Sequence, residues 1–243
     1  MKVTLLASTK LNFPDDPFEW EGPLVDLTNE LDYSINAESD ADDLAEFAGR
    51  ACYQSWNRPN PKTATNEGYL KNILDQKHES VLEHASATFY VEGVSRSLTH
   101  ELIRHRHLSY SELSQRYVKM GDYHVVTPPA VGKLPQPHNV DAIDDMVDFE
   151  ERAQDAYASL VEKLEATGIG RKQAREAARA VLPGGMETKI VVTGNMRAWR
   201  DTLKKRWHVA ADAEIREFAG EILRQLRRIA PNSFQDIPEE PYV

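Results

Sequence analysis

One α+β domain is predicted for the whole chain, residues 1–243, and three observations predict it. Segments with period-two alternation, chiefly HASATFYVEG and ETKIVVTG, are interspersed with segments of helical period. No interdomain linker, internal repeat or low-complexity tract separates them. The hydrophobic share, 41% of 243 residues, is enough for a sizeable core.

The elements follow in order. KVTLLAS reads as a first strand, and the stretch after it, with Pro14, Pro17, Gly22 and Pro23, reads as loop. DADDLAEFAGRACYQS places Leu44, Phe47, Ala48 and Ala51 at helical spacing behind an Asp-rich start that suits the helix dipole. SWNRPNPKTATN is a proline-broken loop, and NEGYLKNILDQKH resumes the helical period through Leu70, Ile73 and Leu74. HASATFYVEG puts Ala85, Ala87, Phe89 and Val91 on one face of a strand. VSRSLTHELIRHR returns to a helix through Val94, Leu98 and Leu102. DYHVVTP reads as a second such strand, leading through a proline-rich connection to a long helix over about 141–167 that stops at Gly168 and Gly170. A basic helix, RKQAREAARAVL, ends at Pro183, and ETKIVVTG forms a strand. The helices NMRAWRDTLKKRW and DAEIREFAGEILRQLRRIA close the fold.

With a formal net charge of -10 and a pI near 5.3, the chain is not expected to bind nucleic acid or an anionic membrane generally. Any anion must be held locally. Cys52 is the only cysteine, so no intrachain disulfide is possible and a reducing cytoplasm is the simplest compartment. MKVTLLASTK has too short an apolar run for a signal-peptide core, and no apolar stretch approaches the roughly 20 residues of a membrane span. A soluble cytoplasmic protein is expected.

Against that acidic background, RHRHLSYSELSQRY gathers Arg104, His105, Arg106, His107 and Arg116 at the end of a helix, where cations are favoured. Guanidinium groups suit phosphate and planar heterocycles through their permanent charge and forked donors. Arg171, Arg175 and Arg179, spaced by four, form a second group; Arg197, Arg200, Lys204, Lys205 and Arg206 form a third. Solvated faces paired with acidic residues are the plain alternative for these two.

Other chemistries fare less well. His78 and His84 lie six apart, whereas a helical zinc pair needs i and i+4. Ser109, Ser111 and Ser114 lie near His105 and His107, but the chain has no G-x-S-x-G elbow and no evident carboxylate to orient a histidine. Cys52 follows an apolar helix face and reads as core. The residues alone therefore lead to an anion of nucleotide type held by arginines from several segments.

Arg104-His105-Arg106, then seven residues, then Ser114, Arg116 and Tyr117, resembles the signature of the flavin-dependent thymidylate synthases. GRACYQSW, HESVLEHASATFYV, REAARAVLP and VVTGNMRAW resemble further segments of that family in the expected order, so the resemblance spans about residues 44–230. It implies conversion of dUMP to dTMP with methylenetetrahydrofolate as carbon donor, FAD as hydride carrier and NADPH as reductant. It also implies an α/β fold with a central, mostly antiparallel sheet flanked by helices, assembled as a homotetramer with shared active sites.

By that resemblance Arg104, His105 and Arg106 contact FAD, with Ser80 from another subunit; His78, Glu112 and Asp201 lie near the flavin, and Asn195, Met196 and Arg197 lie along its nucleotide. The dUMP positions are Glu101, Leu102, Ile103 and Arg104, then Glu112, Leu113, Ser114, Gln115 and Arg116, with Arg179 and Arg206. Ser114 hydrogen-bonds dUMP rather than attacking it, and Arg206 favours the N3-ionised pyrimidine without a covalent enzyme adduct. Two positions depart from the family pattern: Ser111 stands where asparagine is usual, and Asp201 where asparagine or histidine is common. A noncatalytic nucleotide-binding protein is the competing reading.

Overall fold

Four strands pair in the order β1-β2-β4-β3 in a computed structural model that describes residues 1–12, 39–55, 60–121 and 123–243. They are β1 (Lys2–Ser8), β2 (Ser86–Ser95), β3 (Ser109–Glu112) and β4 (Glu187–Asn195), and the sheet is antiparallel. The loop predicted through Pro14, Pro17, Gly22 and Pro23 lies outside the described residues. The α-helices are α1 (Asp40–Tyr53), α2 (Asn66–Asp75), α3 (Arg96–Leu102), α4 (Pro129–Gly132), α5 (His138–Ala166), α6 (Arg171–Ala178), α7 (Met196–Arg206) and α8 (Ala213–Ile229). Among the described residues no helix is long and apolar enough to cross a membrane.

The chain divides into two compact units. The first comprises Met1–Thr4, Tyr90–Val192 and Ala211–Phe218; the second comprises Leu5–Phe89, Thr193–Ala210 and Ala219–Val243.

In the first unit, Met120, Tyr157, Ala178 and Met186 form a buried cluster on which Leu113, Tyr123, Leu160, Val161 and Leu182 pack. This seats α5 against α6. Gly168, at φ 85, makes the left-handed turn between them that a side chain would resist. α3 starts at Ser95, whose hydroxyl accepts from the Leu98 amide at 3.0 Å. The Glu214 carboxylate then holds Ser95 from outside the helix, accepting from its amide at 2.8 Å and its hydroxyl at 2.6 Å.

The second unit packs Phe89 edge-on against Trp199, ring centroids 5.3 Å apart, while the Trp199 indole donates to the Ala87 carbonyl. The alternation in HASATFYVEG carries through, since Ala85, Ala87 and Phe89 are all buried. Here α1 departs from expectation. Its buried face is Ala41, Asp42, Ala45, Glu46, Gly49 and Arg50, whereas Leu44, Phe47, Ala48 and Ala51 are only half-buried. Polar side chains can face inward because each finds partners. Asp42 accepts from the amides of Asn232 and Ser233 and from the Ser233 hydroxyl, all within 3.0 Å. Arg50 donates to Glu46 and to the carbonyls of Ser55 and Thr63. Asn66 bridges Glu46 and the Asp42 carbonyl.

The described residues of DYHVVTP form no strand. Only Val125 makes a bridge, opposite Met186, because Pro128 and Pro129 remove donors that a ladder would need. The remaining strand is β3, inside the cationic motif; its polar sequence SYSE fits its place at the sheet edge. The basic segment RKQAREAARAVL is α-helical only to Ala178 and continues as a 3-10 turn over Arg179–Val181.

Candidate functional site

In the first unit, α3 ends at Leu102 and the chain turns tightly. The amides of Arg104 and His105 return to the carbonyls of Glu101 and Leu102, and that of Leu108 to His105. Every third residue is buried, Leu102, His105 and Leu108, so Ile103, Arg104, Arg106 and His107 are left exposed. The motif thus sorts its basic residues by position: His105 is 7% exposed, and Arg104 and Arg106 are exposed.

Many basic side chains among the described residues are spent on acidic neighbours or on carbonyls. Arg116 pairs with Glu176, Arg197 with Glu83, Lys204 with Glu79, Lys205 with Asp201 and Arg96 with Glu112, and Arg175 donates to the Tyr117 carbonyl. Among the described arginines, Arg104, Arg106, Arg171, Arg179 and Arg228 have no such partner. Arg200, from the third basic group, is the opposite extreme. It is 1% exposed, forks onto both oxygens of Asp236 at 2.7 Å, and donates to the Ser233 carbonyl. Burial alone would raise the Asp236 carboxyl, but the hydrogen bonds and charge of Arg200 bring it below its ordinary value.

Strand β3 leads into the second half of the motif. Glu112 is held by three donors on one oxygen: the Arg96 guanidinium at 3.1 Å, the Thr99 hydroxyl at 2.9 Å and the Thr188 hydroxyl at 3.1 Å. Beside it opens a cleft of about 420 Å³ lined by Arg96, Ser97, Thr99, His100, Glu101, Ile103, Glu112 and Gly184. Arg96, Thr99 and Thr188 escape a reading that looks for clusters of charge, yet Arg96 and Thr99 stand i, i+3 on α3. That spacing was the signal available in the sequence.

Gln115 is 6% exposed and its side-chain nitrogen, buried, has no hydrogen-bond partner among the described residues. A buried amide donor left unmade costs about 1–3 kcal/mol, so it is suited to a ligand acceptor. Leu102 and Leu113 are apolar packing residues, so toward a ligand they offer only backbone groups. Ser109, Ser111 and Ser114 make no side-chain hydrogen bond among the described residues. Tyr117 is exposed, and the hydrogen bond and charge of Lys172 hold its phenol below the ordinary value.

In the second unit, α2 ends where Lys77 adopts the left-handed conformation, φ 59, and the His78 amide returns to Ile73. The turn displays His78 and Ser80 at the surface. The 3-10 segment Glu79–Glu83 is tied to α7 by Lys204–Glu79 and Arg197–Glu83, which groups His78 and Ser80 with that helix. Asn195 caps α7 through its side-chain oxygen, accepting from the Ala198 amide at 2.8 Å, and Met196 is fully buried. Their contribution to any ligand is therefore backbone plus the Asn195 amide nitrogen. The carboxylate of Asp201 is neutralised by Lys205 at 2.7 Å, so this departure from the family pattern leaves no unpaired negative charge. Arg206 is half-buried in the last turn of α7, beside Lys204 and Lys205.

The family model described as "Thymidylate synthase complementing protein" matches residues 34–232. A probable flavin-dependent thymidylate synthase of Mycobacterium phage L5 is 52% identical over 250 residues, covering 100% of this chain and 99% of the relative. One from Mycobacterium phage D29 is 54% identical over 244 residues, with 100% and 98% covered. The flavin-dependent thymidylate synthase of Mycobacteroides abscessus is 49% identical over 247 residues, with 97% and 89% covered. With near-complete coverage in both directions, the chain belongs to the flavin-dependent thymidylate synthase family.

Proposed function

We propose that this chain catalyses the reductive methylation of dUMP to dTMP, with methylenetetrahydrofolate as carbon donor and NADPH as reductant, as a cytoplasmic homotetramer. The observation that carries this reading is that Arg104 and Arg106, on one turn of the cationic motif, and Arg179 are exposed without acidic partners among the described residues, in a chain of net charge -10. Such groups are kept for an anion that arrives from solution. FAD, when bound, supplies hydride-carrying chemistry that no side chain possesses.

The residues then divide the work. Arg104 and Arg106 bind the flavin nucleotide, with Ser80 contributed by another subunit; His78, Asn195 and Arg197 are the further flavin positions that the resemblance implies. Arg116 and Arg179 hold the dUMP phosphate, Ser114 donates a hydrogen bond to the nucleotide, and the buried Gln115 amide is a further donor. Glu112, fixed by its three donors, gives the site a carboxylate whose position does not depend on the ligand.

Arg206 is assigned the catalytic part. A guanidinium beside N3 and O2 of the pyrimidine stabilises the N3 anion, which raises electron density on the ring carbon that accepts the one-carbon unit. No covalent enzyme nucleophile is then required. Omission of dUMP, methylenetetrahydrofolate, NADPH and FAD in turn tests the reading: each omission abolishes dTMP formation. Arg206→Ala lowers turnover by roughly 10²–10³-fold while flavin stays bound, the loss typical of a removed charge-stabilising donor.

A further inference from the structure

We propose that Tyr110 is a positioning residue that presets the turn carrying Arg104 and Arg106 for the flavin. Tyr110 lies on β3, at a position the family pattern leaves open. Its single O–H lies within hydrogen-bond distance of two carbonyls, Leu102 at 2.7 Å and His105 at 2.9 Å, and is shared between them. Leu102 is the last residue of α3; its carbonyl already accepts from the His105 amide, and the phenol is a second donor to it. One shared phenol O–H therefore ties the helix end and the middle of the turn to β3.

The consequence falls on the arginines. Leu102, His105 and Leu108 are the buried side of the turn, and Tyr110 grips the backbone at two of the three. With that side fixed, Arg104 and Arg106 leave the surface in set directions, and their ordering cost is met before ligand arrives. Burial pushes the Tyr110 phenol up to about 12, so it remains a donor throughout the working pH range.

The proposal rests on reading this turn as the flavin-binding element, and the test separates the two. Flavin Kd is measured by fluorescence quenching for the wild type, Tyr110→Phe and Arg106→Ala, alongside thermal unfolding. Tyr110→Phe keeps the ring and loses only the hydroxyl, and is expected to weaken FAD binding roughly tenfold with a cooperative transition retained. A merely structural role would lower the unfolding midpoint and leave the Kd of the folded protein unchanged; that result overturns the proposal. Wild-type affinity in Tyr110→Phe with weakened binding in Arg106→Ala overturns the positioning role alone. Wild-type affinity in both overturns the flavin reading of the turn and the proposal with it. Should Tyr110→Phe fail to fold, amide exchange on the unsubstituted protein decides. Protection of the His105 and Leu108 amides before flavin is added supports a preset turn, and free exchange until flavin binds contradicts it.

Discussion

Two regions of this molecule concentrate charge, and they use it in opposite ways. Around α1, the side chains of Asp42, Glu46 and Arg50 are buried and engaged by one another, by Asn66 and Ser233, and by nearby backbone groups. Around the turn after α3, Arg104 and Arg106 are exposed and lack acidic partners among the described residues. Charge satisfied inside the fold serves stability and order; charge left unsatisfied at the surface is available for a ligand. Sequence composition cannot separate the two, because both appear as dense runs of ionisable residues.

The contrast can be broken from either side. The largest effect is expected in the buried network: Arg50→Met leaves Glu46 buried without its cation and should cost about 3–5 kcal/mol in denaturant unfolding. At the surface turn, Arg106→Ala should change stability by less than about 0.5 kcal/mol. It should nonetheless weaken FAD binding roughly 10–100-fold, the scale of a lost charge-assisted hydrogen bond. If Arg106→Ala destabilised the fold as much as Arg50→Met, the division drawn here would fail.

The pH dependence sharpens the comparison within the second unit. Burial raises the Asp42 carboxyl above 3.8 despite its hydrogen bonds, so the folded state carries a cost once Asp42 ionises. The cost is relieved as pH falls from above the raised value toward 3.8; wild-type stability relative to Asp42→Asn should therefore decline as pH rises through that window. Asp236 has the opposite sign. Its folded value lies below 3.8, so its stabilising pairing with Arg200 is fully present above 3.8 and lost as pH falls through the folded value. Denaturation midpoints of Asp42→Asn and Asp236→Asn across the acid range should thus diverge from wild type in different windows. The smallest effect is expected for Glu83→Gln, which breaks an exposed pair with Arg197 and should cost less than about 0.5 kcal/mol.

Much of the fold was legible because its signals are local. The alternation of Ala85, Ala87, Phe89 and Val91, the glycine after α5 and the helical period of α7 needed only near neighbours in sequence. The face buried by α1 was not legible, since its partners Asn66, Asn232 and Ser233 lie far along the chain. β3 was hidden because an edge strand can be polar throughout, and DYHVVTP misled because its β-branched residues precede two prolines. Of the candidate site, the motif's place at a helix end was readable. Which of its cations are displayed, and how Arg96, Thr99 and Thr188 converge on Glu112, required the fold.

The measurement that tests the central claim most directly is dTMP formation by the purified protein with dUMP, methylenetetrahydrofolate, NADPH and FAD, each omitted in turn. Product that requires all four components, and that falls with Arg106→Ala unless FAD is raised, is the predicted result. Folded, FAD-bound protein that makes no dTMP would contradict the proposed reaction and favour a nucleotide-binding role for the same arginines.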